Sequence, residues 1–344
     1  MGLALVVKGW GMSNRSSAEV GNLPIFLAGR REILDAALRI PDLVDETNRP
    51  RPFVRGQTNH MLRFAALGSG SSGNSALVFS DQTRLLIDAG MSAKQLRLRL
   101  GALGVEPEQL GGILLTHEHG DHTRGLEVFC RKVDVPIFCS PITRESLSQS
   151  VTSARSWRMI GSGEPFEIGD IAVEGFTVMH DAVDPMGFVL EHGGARFRFA
   201  SDVGHVTGVM RSALSGVHSL FVEANYDDVI LQNDTKRPWS LKQRVASRHG
   251  HLSNAQAAEL VGEIAAGGGL ERVLLGHLSE DCNCVEAAEA AIRVALQRER
   301  CPGVEVGCAG RDRPTGPFEV RAVTAPEIDN RAKSTVQEEL ELWG

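Results

Sequence analysis

The pattern of hydrophobic and polar positions changes most sharply at Met61, where short apolar runs begin to alternate with turn residues. Beyond this point the pattern predicts strands at Leu62–Leu67, Ser75–Phe79, Arg84–Ile87, Gly112–Leu115, Ile171–Met179, Met186–Leu190, Arg196–Ala200, Ser219–Val222 and Arg272–Leu275. Apolar spacings of three and four residues predict helices at Ser92–Leu103, Thr123–Lys132, Pro141–Ser148, Ser253–Ala266 and Val285–Arg298. Strands and helices that follow one another in this order predict a mixed α/β fold.

The two ends of the chain differ in texture from the middle. Residues 1–60 are rich in proline and arginine and predict one helix, about Arg31–Ile40. We expect this segment to be an N-terminal extension, either disordered or upstream of a natural start at Met61. Residues 326–344 are polar and acidic and predict a tail. The domain itself is therefore expected to span residues 61–325.

Composition narrows the class of protein. The 344 residues are 42% hydrophobic, which excludes disorder for most of the chain. No apolar run approaches the roughly 18 residues of a spanning helix, so no membrane partner is expected. The net charge of −7 means that a nucleic-acid partner would need a local basic patch. The six cysteines form no regular framework, which favours a reducing cytoplasm over a disulfide-bonded protein.

A glycine-rich loop follows the first predicted strand. Gly68–Gly73 matches G-x-G-x-x-G, and Asp88 lies 20 residues beyond Gly68, as in dinucleotide-binding proteins. That chemistry requires a helix directly after the third glycine, because helix N-terminal amides bind the pyrophosphate. A strand pattern follows instead, so the context predicts a hairpin and a tight turn that lines a site. We expect Ser72 and Asn74 in this loop to contact substrate.

The segment with the clearest chemistry is His117-Glu118-His119-Gly120-Asp121-His122, directly after a buried strand. Alternation in an extended segment can direct His117 and His119 to the same side. Asp121 and His122 lie where the chain turns into a helix and can face a second point nearby. Because one metal ion needs three or four protein ligands, the segment supplies parts of two metal sites.

More ligand-type residues follow predicted strands elsewhere in the chain. His180, Asp202 and His277 each come after an apolar strand, where loops build functional sites on a rigid scaffold. Together with Asp88 and the H-x-H-x-D-H segment, this set resembles the ordered motifs of the metallo-β-lactamase superfamily. The resemblance covers about Met61 to Val323.

The resemblance implies a four-layer αββα sandwich with two divalent metal ions, Zn²⁺ or Mn²⁺, at one edge. It assigns one set of three residues to the first ion and another set of three to the second. Asp202 is expected to bridge the two ions, and Asp88 is expected to orient the ligands without binding metal. The two sets are His117, His119 and His180, and Asp121, His122 and His277. Two such ions activate water near neutral pH, so the implied chemistry is hydrolysis.

The bridging carboxylate of Asp202 suits oxygen-rich substrates such as phosphodiesters. Their hydrolysis also needs an acid for the leaving oxygen, and His251 is the candidate. Ser253 and Gln256 form a predicted capping box that holds His251 just ahead of a helix. Because a helix N-terminus disfavours a charged histidine, Glu223 is expected to keep His251 protonated. This pair resembles the one in tRNase Z-like phosphodiesterases. The expected catalytic residues are therefore His251, Glu223 and Asp121. The alternative is that His251 only packs against its neighbours or caps the helix.

A basic segment, Lys236–Arg248, holds five basic residues and no acid. It can contact a phosphate backbone through Lys242 and Arg244, or it can be a solvated helix face, and the sequence leaves both open.

Four shorter strings resemble the YycJ/WalJ-type branch, whose members are regarded as exonucleases acting on DNA. They are GSGSSGNS at Gly68–Ser75, VEANYD at Val222–Asp227, LKQR at Leu241–Arg244 and HLSN at His251–Asn254. Departures from the pattern are His205, where another polar residue is expected, and Cys282 and Cys284 after His277. The short spacing from Asp202 to His251 excludes a β-CASP insertion.

The resemblance implies a two-metal hydrolase of phosphodiester bonds, acting on DNA as an exonuclease. A small-molecule phosphodiesterase or a (thio)ester hydrolase of the same fold is the alternative. A purely structural metal protein is disfavoured, because the ligands outnumber those of a closed tetrahedral site.

Overall fold

The structure is a computed structural model that describes residues 61–322. The predicted helix at Arg31–Ile40, the N-terminal extension and the acidic tail lie outside these residues. The strands, in chain order, are β1 (Leu62–Gly68), β2 (Ser75–Phe79), β3 (Arg84–Ile87), β4 (Gly112–Leu114), β5 (Ile137–Cys139), β6 (Trp157–Met159), β7 (Pro165–Ile168), β8 (Ile171–Thr177), β9 (Met186–His192), β10 (Ala195–Ala200), β11 (Ser219–Glu223), β12 (Arg272–Gly276), β13 (Glu305–Cys308) and β14 (Thr315–Val320).

The helices lie between these strands along the chain. In order they are α1 (Ala93–Ala102), α2 (Gly120–Thr123), α3 (Leu126–Cys130), α4 (Pro141–Ser146), α5 (Gly208–Leu214), α6 (Asp228–Asn233), α7 (Trp239–Val245), α8 (Asn254–Ala266) and α9 (Val285–Arg298). A 3-10 turn at Pro107–Gln109 precedes β4.

The strands form two mixed sheets of seven strands each. The first has the order β14-β1-β2-β3-β4-β5-β6, and the second has the order β13-β12-β11-β10-β9-β8-β7. In the first sheet β3 to β6 are parallel, and in the second β10 to β13 are parallel. The predicted hairpin after the glycine loop is confirmed, since β2 and β3 pair antiparallel.

Apolar side chains fill three layers of core. Between the sheets, Phe64 of β1 stacks on Phe197 of β10 with ring centroids 4.3 Å apart. On the outer face of the first sheet, Leu96 of α1 is fully buried, and on the outer face of the second sheet Leu260 of α8 and Ile292 of α9 are buried. Helix, sheet, sheet and helix therefore form four layers, which confirms the predicted αββα sandwich.

The predicted helix Thr123–Lys132 is wrong as a single element. The structure divides it into α2 and α3, with Gly125 between them. The Gly125 amide donates to the carbonyl of Ala89, and a Cβ at Gly125 would lie 2.3 Å from the carbonyl oxygen of Met91. This close approach of two backbones interrupts the helix and holds the histidine segment against the end of β3.

Candidate metal centre

The candidate ligands meet at one edge of the sandwich, where parallel strands of both sheets end. Such strand ends are common sites for binding, because loops there stand on a rigid scaffold. The first sheet contributes residues after β3 and β4, and the second contributes residues at the ends of β10, β11 and β12. These residues are Asp88, the segment His117–His122, Asp202, Glu223 and His277. His180 joins them from the loop after β8.

Three of these strand ends have a strained backbone. Asp88, Asp202 and His277 have positive φ values of 60°, 55° and 53°. Residues other than glycine rarely adopt this conformation, and it persists where neighbouring contacts hold it. One such contact is the hydrogen bond from the His277 amide to Ser69 Oγ, at 2.7 Å. Strain concentrated at these positions is typical of a functional site.

The first ligand group consists of His117, His119 and His180, whose ligand atoms lie within 4.8 Å of one another. His180 Nδ1 donates to the carbonyl of Gly250 at 2.9 Å, which leaves Nε2 for the centre. His117 Nδ1 lies 3.0 Å from Thr116 Oγ1, and its buried Nε2 has no hydrogen-bond partner. Burial holds the pKa of His117 well below its ordinary value, so its ring is neutral and able to bind metal.

The second group consists of Asp121, His122 and His277, again within 4.8 Å. His122 Nδ1 donates to Asp88 Oδ2 at 2.7 Å, so its Nε2 faces the centre. His277 Nε2 is buried, has no hydrogen-bond partner among residues 61–322 and lies 3.5 Å from Asp121 Oδ2. Burial lowers the pKa of His277, but the carboxylates of Asp202, Asp121 and Glu223 together more than offset this and raise it to about 10. A divalent cation would replace that proton among these carboxylates, so the donor set fits a metal ion.

Asp202 lies between the two groups. Its Oδ2 is 3.0 Å from His122 Nε2, and its Oδ1 is 3.9 Å from His180 Nε2. Burial would raise the pKa of this carboxyl, but the surrounding imidazoles, His277 foremost, hold it well below its ordinary value. An ionised carboxylate within reach of both histidine groups has the geometry of a bridging ligand.

Asp88 supports the ligands from behind. Its fully buried carboxylate accepts hydrogen bonds from the Thr116 amide and Thr116 Oγ1, both at 2.9 Å, and from His122. Because Thr116 Oγ1 donates to Asp88, it accepts from His117 Nδ1. Asp88 therefore orients a ligand of each group, as carboxylates behind metal-binding histidines commonly do.

Glu223 contacts two histidines at the same time. Its Oε1 accepts from His251 Nδ1 at 2.7 Å and from His277 Nδ1 at 2.8 Å, and its Oε2 accepts from the amides of Val203 and Leu252. Burial lowers the pKa of His251, but Glu223 more than offsets this, and the pKa lies above its ordinary value. The predicted capping box of Ser253 and Gln256 is present beside it.

Sequence reasoning missed the contact between Glu223 and His277. The contact arises because β11 and β12 are parallel neighbours with Glu223 opposite Gly276, the residue before His277. Strand adjacency is a property of the folded sheet, and the local sequence carries no signal for it.

The glycine loop contacts the centre through Asn74. Its Oδ1 accepts from the Gly70 amide at 2.7 Å, and its Nδ2 lies 3.2 Å from Asp121 Oδ2 and 3.1 Å from His122 Nε2. The Asn74 side chain is buried beneath the centre. Ser72, by contrast, is exposed at the rim, and its carbonyl accepts from Arg124.

The basic segment lies beside the centre with most of its charges already engaged. Lys236 and Arg237 pair with Asp281, at 3.1 and 2.9 Å. Lys242 donates to the carbonyl of Gln232, and Arg244 donates to Asp181, the neighbour of His180, at 2.7 Å. Through Asp181, Arg244 lies at the rim of the centre beside His180.

His205, Cys282 and Cys284 contribute to none of the ligand groups formed by residues 61–322. His205 pairs through a single bridge with Met179, and Cys282 is buried with its Sγ 3.8 Å from Asp234 Oδ2. Cys284 is exposed directly before α9, and all six cysteines are free thiols. In the part of the chain that is described, no helix is long and apolar enough to cross a membrane.

Comparisons with known proteins agree with this geometry. A family model described as a β-lactamase superfamily domain matches residues 83–278. Exodeoxyribonuclease YycJ of Bacillus anthracis is 32% identical over 258 residues, which cover 74% of this chain and 96% of that protein. The chain belongs to the metallo-β-lactamase superfamily, in its YycJ/WalJ-like branch.

Two further similarities fit this membership. Exodeoxyribonuclease WalJ of Streptococcus pneumoniae is 35% identical over 232 residues, covering 66% of this chain and 85% of that protein. The crystal structure of the metallo-β-lactamase fold protein YhfI from Bacillus subtilis superposes with a TM-score of 0.59 at 16% identity, covering 76% of this chain and 99% of that one. The superfamily fold predicted from the motifs is thus confirmed.

Proposed function

We propose that this chain is a metal-dependent phosphodiesterase that degrades DNA as an exonuclease with two divalent ions, Zn²⁺ or Mn²⁺. The observation that carries the proposal is the contact of the buried Glu223 and its part-buried partner His251 with the ligand groups that Asp202 joins. Support for the substrate comes from the relatives named exodeoxyribonucleases, at 32% and 35% identity. Cysteine usage favours a cytoplasmic location.

The donor set fits two metal ions. His117 and His277 each have a buried Nε2 without a hydrogen bond, and their Nδ1 atoms are engaged by residues behind them. In the proposed arrangement His117, His119 and His180 would hold one ion, Asp121, His122 and His277 would hold the other, and Asp202 would serve both. When bound, such ions activate water near neutral pH and offset negative charge on the attacked phosphate.

The chain's own residues supply the remaining chemistry. His251 donates the proton from Nε2 to the leaving oxygen, because its Nδ1 is held by Glu223. Glu223 stabilises the imidazolium of His251. The backbone amides of Val203 and Leu252 hold the Glu223 carboxylate in place, and the carboxylate in turn orients the His251 ring. Asp121, whose side chain is 23% exposed, orients the attacking water from the second ligand group.

The rim offers contacts for a nucleic-acid strand. Arg244 is exposed next to His180, and the Trp239 side chain on the same helix, α7, is 67% exposed. An arginine can bind phosphate in place of its exposed carboxylate partner Asp181, and an indole can stack on a base. Lys242 and Ser72 are further rim residues that we propose to face substrate.

A small-molecule phosphodiester is the second candidate, and one observation favours it. Lys236 and Arg237 are paired with Asp281 and Asp234, which leaves less free positive charge for a long phosphate backbone than the sequence suggests. A (thio)ester would need neither these cations nor the proton donor His251.

The two candidates separate in one assay. Protein loaded with Zn²⁺ or Mn²⁺ is incubated with end-labelled DNA, a cyclic nucleotide and bis-p-nitrophenyl phosphate. The proposal predicts release of labelled nucleotides from DNA, and His119→Ala, which removes a ligand, abolishes every activity. Turnover of the small diester or the cyclic nucleotide with intact DNA would favour the second candidate and overturn the first.

A further inference from the structure

A second group of anion-binding donors lies at the rim, on the side of the glycine loop. Ser71 and Ser72 are exposed residues, and within residues 61–322 nothing accepts a hydrogen bond from the backbone amide of either. The other amides of the loop are engaged: the Gly70 amide donates to Asn74 Oδ1, and the Gly73 amide donates to the Gly70 carbonyl. Consecutive free amides in a tight turn form a concavity that binds anions.

Two arginines flank these amides. Arg124 is exposed, and its Nη1 donates to the Ser72 carbonyl at 2.8 Å. Arg311 packs beside Gly70, where an added Cβ would lie 3.5–3.7 Å from its side-chain atoms, and its Nη2 donates to the Leu278 carbonyl at 3.0 Å. Both guanidinium groups are anchored on backbone carbonyls and keep further N–H donors for a ligand. We call Gly70–Ser72, Arg124 and Arg311 the glycine-loop cradle.

The cradle is joined to the metal centre. Asn74, which ends the loop, contacts Asp121 and His122, and Ser69 Oγ accepts from the His277 amide. All three of these partners belong to the second ligand group. The cradle therefore adjoins the second ligand group, whereas Arg244 adjoins His180 of the first.

Two acidic residues lie near the arginines of the cradle. Glu280 pairs with Arg311 Nη1 at 3.2 Å, and its side chain is 82% exposed. Asp312 is exposed next in sequence to Arg311. An exposed ion pair of this kind is readily exchanged for a phosphate, whose oxygens accept from guanidinium groups and from backbone amides.

We propose that the glycine-loop cradle binds a phosphate of the DNA strand next to the scissile one. The inference rests on the proposed function. Amides and guanidinium groups recognise the phosphate and carry no information about base sequence, so the cradle positions a polymer of any sequence. A diester with a single phosphate occupies the metal centre and leaves the cradle unused.

The test compares polymer and small diester in the same variants. Arg124→Gln and Arg311→Gln should each raise KM for DNA about tenfold and lower the salt dependence of DNA affinity by about one counterion. Neither should change kcat/KM for bis-p-nitrophenyl phosphate. Arg155→Gln is the matched control, because this exposed arginine precedes β6 and lies away from the strand ends that form the site.

A variant of opposite sign sharpens the test. Glu280→Gln removes the acid that competes for Arg311 and should lower KM for DNA. Arg311→Lys and Arg124→Lys keep the charge and should bind DNA more tightly than the corresponding glutamine variants. If the arginines had only a structural role, the DNA affinity would not depend on the charge at these positions. Thermal unfolding of each variant shows that the fold is intact.

Different results would contradict the cradle and the proposed function. DNA affinity is measured apart from cleavage, by fluorescence anisotropy of a labelled strand with metal-loaded His251→Ala as the background. Unchanged affinity in both arginine variants, or an equal loss on the small diester, overturns the cradle. A chain that binds DNA through the cradle and does not cleave it overturns the proposed function, and a chain that binds no DNA overturns both.

Discussion

Glu223 connects the proton donor of the proposed mechanism to His277, a proposed metal ligand, because one oxygen accepts from both His251 and His277. The pKa of His251 is raised by this carboxylate against the effect of burial. Glu223→Gln removes the charge, so the imidazolium of His251 becomes less stable. We expect the basic limb of the kcat/KM profile to move to lower pH by about one unit or more.

The pH profile is measured with a diester of poor leaving group, for which protonation matters most. Since Glu223 also contacts His277, elemental analysis of the variant must show whether its metal content is unchanged. A basic limb that stays in place at full metal content would exclude His251 as the group that titrates there.

His251→Ala separates proton donation from metal binding. Loss of the proton donor should reduce turnover roughly 10²–10⁴-fold, and the loss should shrink for a nitrophenolate leaving group, which needs little protonation. The variant should retain its metal, whereas His119→Ala should lower metal content and abolish turnover of all substrates. Equal losses for good and poor leaving groups would leave His251 as a binding or structural residue, and His205 would be examined next as the acid.

At the scale of elements, Gly90 holds the end of β3 against the histidine segment. A Cβ at this position would lie 1.5 Å from the Asp121 carbonyl oxygen and 2.7 Å from the Asn74 amide. Gly90→Ala must therefore displace Asp121 or Asn74, and we expect it to lower the free energy of unfolding by about 1–3 kcal/mol and to weaken metal binding.

Gly101 is the matched control for this prediction. It lies in α1, and a Cβ there meets nothing within 4 Å. Gly101→Ala should raise stability by about 0.5–1 kcal/mol, because alanine is the better helix former. Denaturant unfolding measures the free energy of unfolding of both variants. A Gly90→Ala chain as stable as the original would show that Asp121 or Asn74 can move aside without loss of stability.

The long, strongly patterned elements are the ones that the sequence predicts well. Alternation identifies the hairpin of β2 and β3, and the capping box identifies the start of α8. The sequence does not predict the strands β5, β6, β7, β13 and β14. Short length alone is not the reason, because β3 and β4 are equally short and are predicted; β14 contains Pro317, which weakens a strand pattern. Their pairing depends on neighbours that are distant in sequence.

Some features of the candidate site can likewise be predicted from the sequence, and others cannot. H-x-H-x-D-H and the polar residues after strands identify the candidate ligands, because local spacing and strand ends are visible in one sequence. The contacts of Glu223 with His277 and of Asn74 with Asp121 join residues 54 and 47 positions apart. Such contacts depend on strand order, which local patterns do not encode.

At the scale of the whole molecule, the domain boundary at Met61 remains a prediction. β1 begins at Leu62, whose partner across the sheet is Val320 of β14. We expect a chain that begins at Met61 to fold and to hydrolyse a small diester at the rate of the full chain. Insoluble or inactive protein from that truncation would show that residues 1–60 stabilise the domain.

The central claim is that two divalent ions, joined by Asp202, carry out the hydrolysis. The most direct measurement titrates metal-free protein with Zn²⁺ or Mn²⁺ and follows bound metal and diesterase activity together. The account predicts that activity rises to a plateau at about two ions per chain, and that Asp202→Ala binds fewer ions and is inactive. Full activity with one ion per chain, or an Asp202→Ala variant that matches the original chain, would contradict it.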